Sequence, residues 1–326
     1  MSASYTRRQW LATAAGTAAA LSARPAMLAA DKPLRGIFII VATPYTESNQ
    51  IDYEDLAREI DFLDRCGVQG MVWPQLASDY PRLTNEERRR GMEVIAKAAK
   101  GKKPALVFGV QGANTKVAMS FVEKAESLAP DVLIAIPPTE AKTLDDFRSY
   151  YRAIARNTRR PLFIQTTGGA KGITPDIPFL VDLAKEFPHA SYVKEEAEPV
   201  LQRMSQLAEH RPTIKGIFSG KAGRAMLYEM RLGFDGTMPG APYSDIYAQI
   251  WNHYQAGDKD KAREIFAKLL LMIDLDQQVP GTRQYIMKRR GVFKTTASRR
   301  LEVNLSKEAI QEIEFRYQAL TPYLKA

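Results

Sequence analysis

The sequence has little of what most often declares a function. It contains one cysteine in 326 residues. No intrachain disulfide can form, and Cys66, set before Gly67 at the end of an apolar helical pattern, reads as a small buried side chain. It contains three histidines, His189, His210 and His253, all outside the strand ends identified below, so no histidine-based metal site is expected. The formal charge of +9 comes from 46 Lys and Arg against 37 Asp and Glu. The densest basic run, Lys288-Arg289-Arg290 followed by Lys294, Arg299 and Arg300, lacks the interleaved aromatics that stack on bases. That run reads as the cover of a helix end, and no nucleic-acid partner is expected.

The first thirty residues lack acidic side chains altogether but hold Arg7, Arg8 and Arg24. Thr6-Arg7-Arg8-Gln9-Trp10-Leu11 precedes a weakly hydrophobic, alanine-rich stretch from Ala12 to Leu21, too short for a membrane span. Paired arginines before a modest apolar region resemble a signal read by the twin-arginine export machinery, which carries folded proteins. Residues 1–30 are therefore expected to be a leader cleaved after Ala30, and the mature protein periplasmic or exported. An amphipathic N-terminal helix is the competing reading, and it has no acidic residues from which to build a polar face.

Beyond the leader, short apolar runs alternate with stretches of helical period, repeating about every 25 to 30 residues as strand–helix units do. The expected strands are 36–44, 70–75, 105–110, 132–137, 162–167, 191–196, 214–219 and 234–239. Between them lie expected helices at 53–66, 85–100, 115–128, 144–157, 177–186, 200–209, 222–232 and 243–255. Thr84, three residues before Glu87, has the spacing of a capping box. Eight strands in such alternation predict an α/β fold, a parallel (β/α)8 barrel, over residues 31–256. Further helices around 259–277, 281–290 and 306–323 predict a C-terminal helical extension, residues 257–326, packed on the barrel. No Pro/Gly/Ser-rich linker separates the two.

The residue that stands out is Lys194, in Ala190-Ser191-Tyr192-Val193-Lys194-Glu195-Glu196, at the carboxyl end of the sixth strand, where a barrel keeps its chemistry. Strand alternation places Tyr192, Lys194 and Glu196 on one face. Two readings fit. The amine is an imine-forming nucleophile with Glu196 as its acid/base partner, or both are charged groups at a solvated strand end.

The barrel and this lysine together resemble the dihydrodipicolinate synthase and N-acetylneuraminate lyase family of Schiff-base aldolases. Val41-Ala42-Thr43-Pro44-Tyr45, Ile51-Asp52, Leu83-Thr84-Asn85-Glu86-Glu87-Arg88, Phe108-Gly109-Val110, Ile136-Pro137-Pro138 and Val193-Lys194-Glu195 carry the likeness in order, over about residues 36–300. It implies that Lys194 forms an imine with a 2-oxo acid, that no cofactor or metal is required, and that the protein is a homo-oligomer, a tetramer or dimer. It also implies a substrate-carboxylate loop at Gln75-Leu76-Ala77-Ser78-Asp79, here without the family's glycine and hydroxyl residues.

On the fifth strand the family's proton-relaying tyrosine is replaced by Gln165, which exchanges no proton near neutrality. Ala170 and Lys171 stand where the family has an arginine. The Lys-x-Glu arrangement, Gly220-Lys221-Ala222-Gly223-Arg224 and Gly236-Thr237-Met238-Pro239-Gly240 resemble the branch that dehydrates 2-oxo-3-deoxy sugar acids. Glu196 would supply the missing proton chemistry, with Tyr45 and Tyr80 as the next candidates; the plainer role for Glu196 is a salt bridge orienting Lys194. The expected catalytic residues are Lys194 and Glu196. Thr43, Leu76, Ala77, Ser78, Gln165, Lys171 and Gly220 are expected to bind substrate. The expected activity is aldol cleavage or condensation, or dehydration. The rival is a degenerate barrel that binds a small carboxylate without turnover, motivated by Leu76, Ala77 and Gln165. A metal-dependent barrel hydrolase lacks the histidines.

Overall fold

Eight short apolar runs pair side by side, all parallel, each with the next and the last with the first. In the computed structural model, which describes residues 32–326, they are β1 Gly36–Ile40, β2 Gly70–Trp73, β3 Ala105–Gly109, β4 Val132–Ala135, β5 Leu162–Gln165, β6 Tyr192–Glu195, β7 Gly216–Ser219 and β8 Gly236–Thr237. Helices follow them: α1 Tyr53–Cys66, α2 Asn85–Ala99, α3 Thr115–Leu128, α4 Leu144–Arg156, α5 Ile177–Glu186, α6 Val200–Ala208, α7 Met226–Arg231 and α8 Ser244–Gln255. This is the (β/α)8 barrel expected from the alternation. The leader at residues 1–30 lies outside the described residues.

Strands covered on both faces must be apolar on both, and every residue of β1 and β4 is buried. One face fills the barrel interior, where Phe218 stands edge-on to Phe38 and Phe163 at centroid distances of 5.1 and 5.0 Å. The other face, with Ile37, Ile39, Trp73 and Val193, packs under the helices. Thr84 and Glu87 form the expected capping box at the start of α2: Thr84 Oγ1 accepts from Glu87 N, and Glu87 Oε2 accepts from Thr84 N.

The strands are shorter than the sequence suggests, chiefly at their carboxyl ends. Pro44, Pro74 and Pro137 lack an amide for the ladder, and the chain lifts off the sheet before each of them; β6 ends at Glu195, and Glu196 lies one residue beyond it. The helix expected over 222–232 begins only at Met226, because Lys221, Ala222 and Gly223 all take left-handed φ values of 51°, 57° and 65°. A right-handed helix cannot run through such residues.

The extension comprises α9 Lys259–Gln278, α10 Thr282–Arg289 and α11 Lys307–Gln318. The basic run expected to cover a helix end instead clamps this extension to the barrel. Arg290 and Asp245 of α8, both essentially buried, pair at 2.6 Å. Lys294 reaches Asp52 at 3.0 Å, and Arg299 reaches Glu87 at 2.6 Å. The segment after α10 is thus carried over the carboxyl end of the barrel, beside β1 and β2.

Candidate active site

Register sets up the centre of the site. In the β5–β6 ladder Gln165 stands opposite Lys194, and in the β6–β7 ladder Lys194 stands opposite Phe218. Phe163, Tyr192 and Phe218 belong to the interior layer, so two residues further on Gln165 and Lys194 rise just above it. Lys194 is 4% exposed, and its Nζ donates to Gln165 Oε1 at 3.2 Å. Gln165 Nε2 in turn donates to the Thr167 carbonyl at 3.3 Å. The glutamine is therefore a buried strut beneath the amine; it does not reach the cavity wall where a substrate contact was expected.

The next step up the same faces brings Glu196, Thr167 and Gly220 together. Glu196 Oε1 lies 3.6 Å from Lys194 Nζ, and Glu196 Oε2 accepts from Thr167 Oγ1 at 3.0 Å. Gly220 leaves the space for that carboxylate: a Cβ there would stand 1.7 Å from Glu196 Oε1. The main chain at Glu196 is fixed from the opposite face. Thr166 Oγ1 accepts from the amides of Glu196 and Ala197 and donates to Glu195 Oε1. With Lys194 buried and the Glu196 carboxylate held between Lys194 Nζ and Thr167 Oγ1, the pair is not a solvated strand end.

Lys194 and Glu196 open onto a cavity of about 550 Å³ that Leu76, Ala77 and Thr167 also line. Other expected substrate residues sit elsewhere. Ser78 Oγ donates to the Val41 carbonyl at 2.6 Å and accepts from Gln75 N, so its hydroxyl secures the loop. Thr43 Oγ1 donates to the Ser78 carbonyl at 2.6 Å and accepts from Trp73 Nε1; Thr43 faces a smaller neighbouring cavity of about 70 Å³. Lys171 is exposed on the loop after β5 and does not line the cavity. The two phenols also lie off the cavity. Tyr45 is 2% exposed under Arg299, with its phenol pKa raised by burial, and Tyr80 lies against Arg88.

Sequence reasoning missed four cations on the cavity wall, Arg82, Lys221, Arg283 and Arg300. It also missed Thr167, which strand parity from Gln165 could have found. Glu229 of α7, pushed up to about 7 by burial, accepts from Ser219 Oγ behind β7 and β8. Among the described residues no group of three or more His, Cys, Asp or Glu is arranged to hold a metal.

A model of the dihydrodipicolinate synthetase family matches residues 33–319. The chain is 25% identical over 263 residues to 4-hydroxy-tetrahydrodipicolinate synthase of Parabacteroides distasonis, covering 79% of this chain and 88% of that one. It is 23% identical over 266 residues to L-2-keto-3-deoxyarabonate dehydratase of Azospirillum brasilense, covering 79% and 85%. Its fold matches dihydrodipicolinate synthase from Rhodopseudomonas palustris with a TM-score of 0.79 at 21% identity, over 90% of this chain and all of the other. A match running from the strand before the first helix to the last helix of the extension settles the grouping: the chain belongs to the dihydrodipicolinate synthetase family.

Proposed function

We propose that the protein is a Schiff-base lyase in which Lys194 forms an imine with a 2-oxo acid, and that the reaction run on the imine is loss of water from a 2-oxo-3-deoxy sugar acid. The observation that carries this is a buried amine at the cavity wall with one carboxylate, Glu196, at 3.6 Å. The likeness to a keto-deoxy sugar acid dehydratase supports the choice of reaction. The degenerate-barrel alternative finds no support in a site whose amine and carboxylate are both held in place.

The chemistry follows from the groups present. The Lys194 amine adds to the C2 carbonyl, and the carbinolamine loses water to leave the imine, an electron sink. A base takes the C3 proton, and the electron pair moves toward the imine nitrogen. The resulting enamine expels the C4 hydroxyl as water once an acid protonates it, and hydrolysis then frees the amine. Glu196 is the group that can serve as base and then as acid, because it stands beside the amine and alone on that wall carries an exchangeable carboxyl proton. Gln165 directs the amine with its carbonyl oxygen, and Thr167 orients the carboxylate.

Borohydride reduction in the presence of pyruvate and 2-oxo-3-deoxy sugar acids, followed by intact mass and peptide mapping, is expected to place a reduced adduct on Lys194. The adduct should vanish in Lys194→Ala. No adduct with any compound, or one that survives Lys194→Ala, would sink the proposal.

A further inference from the structure

The cavity wall carries more positive charge than a simple 2-oxo acid can answer. Five cations line it, Lys194, Arg82, Lys221, Arg283 and Arg300, against a single carboxylate, Glu196. Three of the five have partners: Lys194 has Glu196 at 3.6 Å, Lys221 has Glu198 at 3.0 Å, and Arg283 has Asp276 at 3.1 Å. Arg82 and Arg300 remain. Among the described residues neither has an ion-pair partner, and the acid they act on, Asp79, is nearly buried, with its pKa raised by that burial and lowered in turn by Arg300 and Arg82.

These two arginines are also delivered to the cavity by separate devices. Arg82 ends a single helical turn, Tyr80–Arg82, in the loop between β2 and α2. Arg300 arrives from the C-terminal segment, where its neighbour Arg299 is locked to Glu87 and to the carbonyls of Asn49 and Arg82. That lock fixes the chain immediately before a guanidinium that makes no ion pair of its own. Guanidinium forks match carboxylates and phosphates two bonds at a time, and a cavity of about 550 Å³ falls in the size range that holds a ligand much larger than a three-carbon acid.

We infer that the substrate carries a second anionic group at the end remote from the 2-oxo acid, a carboxylate or a phosphate ester, and that Arg82 and Arg300 read it. Asp79 acts on both guanidiniums but makes no ion pair with either, so one substrate carboxylate would answer one of them and a second anionic group would answer the other. The inference rests on the 2-oxo acid reading of the same site, but its test does not need an imine to form.

The test is calorimetric binding to the intact enzyme of four six-carbon probes: 2-oxohexanoate and 2-oxo-3-deoxygluconate, with one anionic group each, and 2-oxoadipate and 2-oxo-3-deoxy-6-phosphogluconate, with two. The expected result is at least tenfold tighter binding of one of the doubly anionic probes, and a fall of at least fivefold in that preference in Arg300→Gln and in Arg82→Gln. Both arginines are exposed, so these changes leave the core untouched. Tighter binding of 2-oxoadipate assigns the group to a carboxylate, and of the phosphorylated acid to a phosphate ester; either supports the inference. Equal affinity for one and two charges, or a preference untouched in both variants, overturns it. Borohydride trapping judges the imine independently of this outcome.

Discussion

Glu195 and Glu196 are adjacent carboxylates at the end of one strand, and the barrel wall puts them in different worlds. Glu195 points outward under α6. It is fully buried, with one oxygen taking hydrogen bonds from Thr166 Oγ1 at 2.5 Å and from the Ala197 amide at 2.8 Å. Its other oxygen lies 3.0 Å from Arg203 Nε, close enough for an ion pair although neither atom meets hydrogen-bond geometry. Burial outweighs these partners and leaves its pKa above the ordinary value. Glu196 points inward, its side chain 15% exposed beside Lys194 and the cavity. Parity along the strand, not charge, decides whether a carboxylate is buried under the helices or faces the cavity. The outer one fixes the main chain from which the inner one projects.

This contrast can be broken in two ways. Glu195→Ala leaves Arg203 without its ion-pair partner and removes the acceptor of the Thr166 hydroxyl and the Ala197 amide. It should cost about 3 kcal/mol of stability, the scale of breaking a buried ion pair, read as a lower denaturation midpoint in urea. The folded variant should still form the Lys194 adduct. A Glu195→Ala protein of native stability would mean that the outward carboxylate does not anchor the strand end. Gly220→Ala attacks the inner carboxylate without touching it, since the added methyl would stand 1.7 Å from Glu196 Oε1. Displacing that carboxylate should slow turnover on the order of tenfold to a hundredfold, with adduct formation retained. Unchanged turnover in Gly220→Ala would show that the position of Glu196 is not critical.

Much of this was legible in the sequence because it depends on short periods. Alternation of two along Tyr192, Lys194 and Glu196 predicted the shared face, and repetition of strand and helix predicted eight strands. The capping box at Thr84 needs only three-residue spacing. What the sequence hid depends on long returns of the chain. Arg283 and Arg300 reach the cavity because the extension folds back and is clamped through Arg290, Lys294 and Arg299, contacts that span more than two hundred residues in places. Ser78 and Thr43 looked free to bind a ligand because nothing local shows that their hydroxyls are spent on each other's loops. Lys171 was assigned by position in a motif, and the loop after β5 carries it into solvent.

The central claim is that Lys194 makes the imine while Glu196, the inward carboxylate, moves the proton. The most direct measurement is the exchange of the C3 protons of 2-oxobutyrate in deuterated water, followed by proton NMR in the wild type and in Glu196→Gln, with borohydride trapping on the same samples. An adduct on Lys194 is expected in both proteins, with exchange about a hundredfold slower in Glu196→Gln, the usual scale for losing a general base. Exchange at the wild-type rate, with the adduct intact, would contradict the central claim.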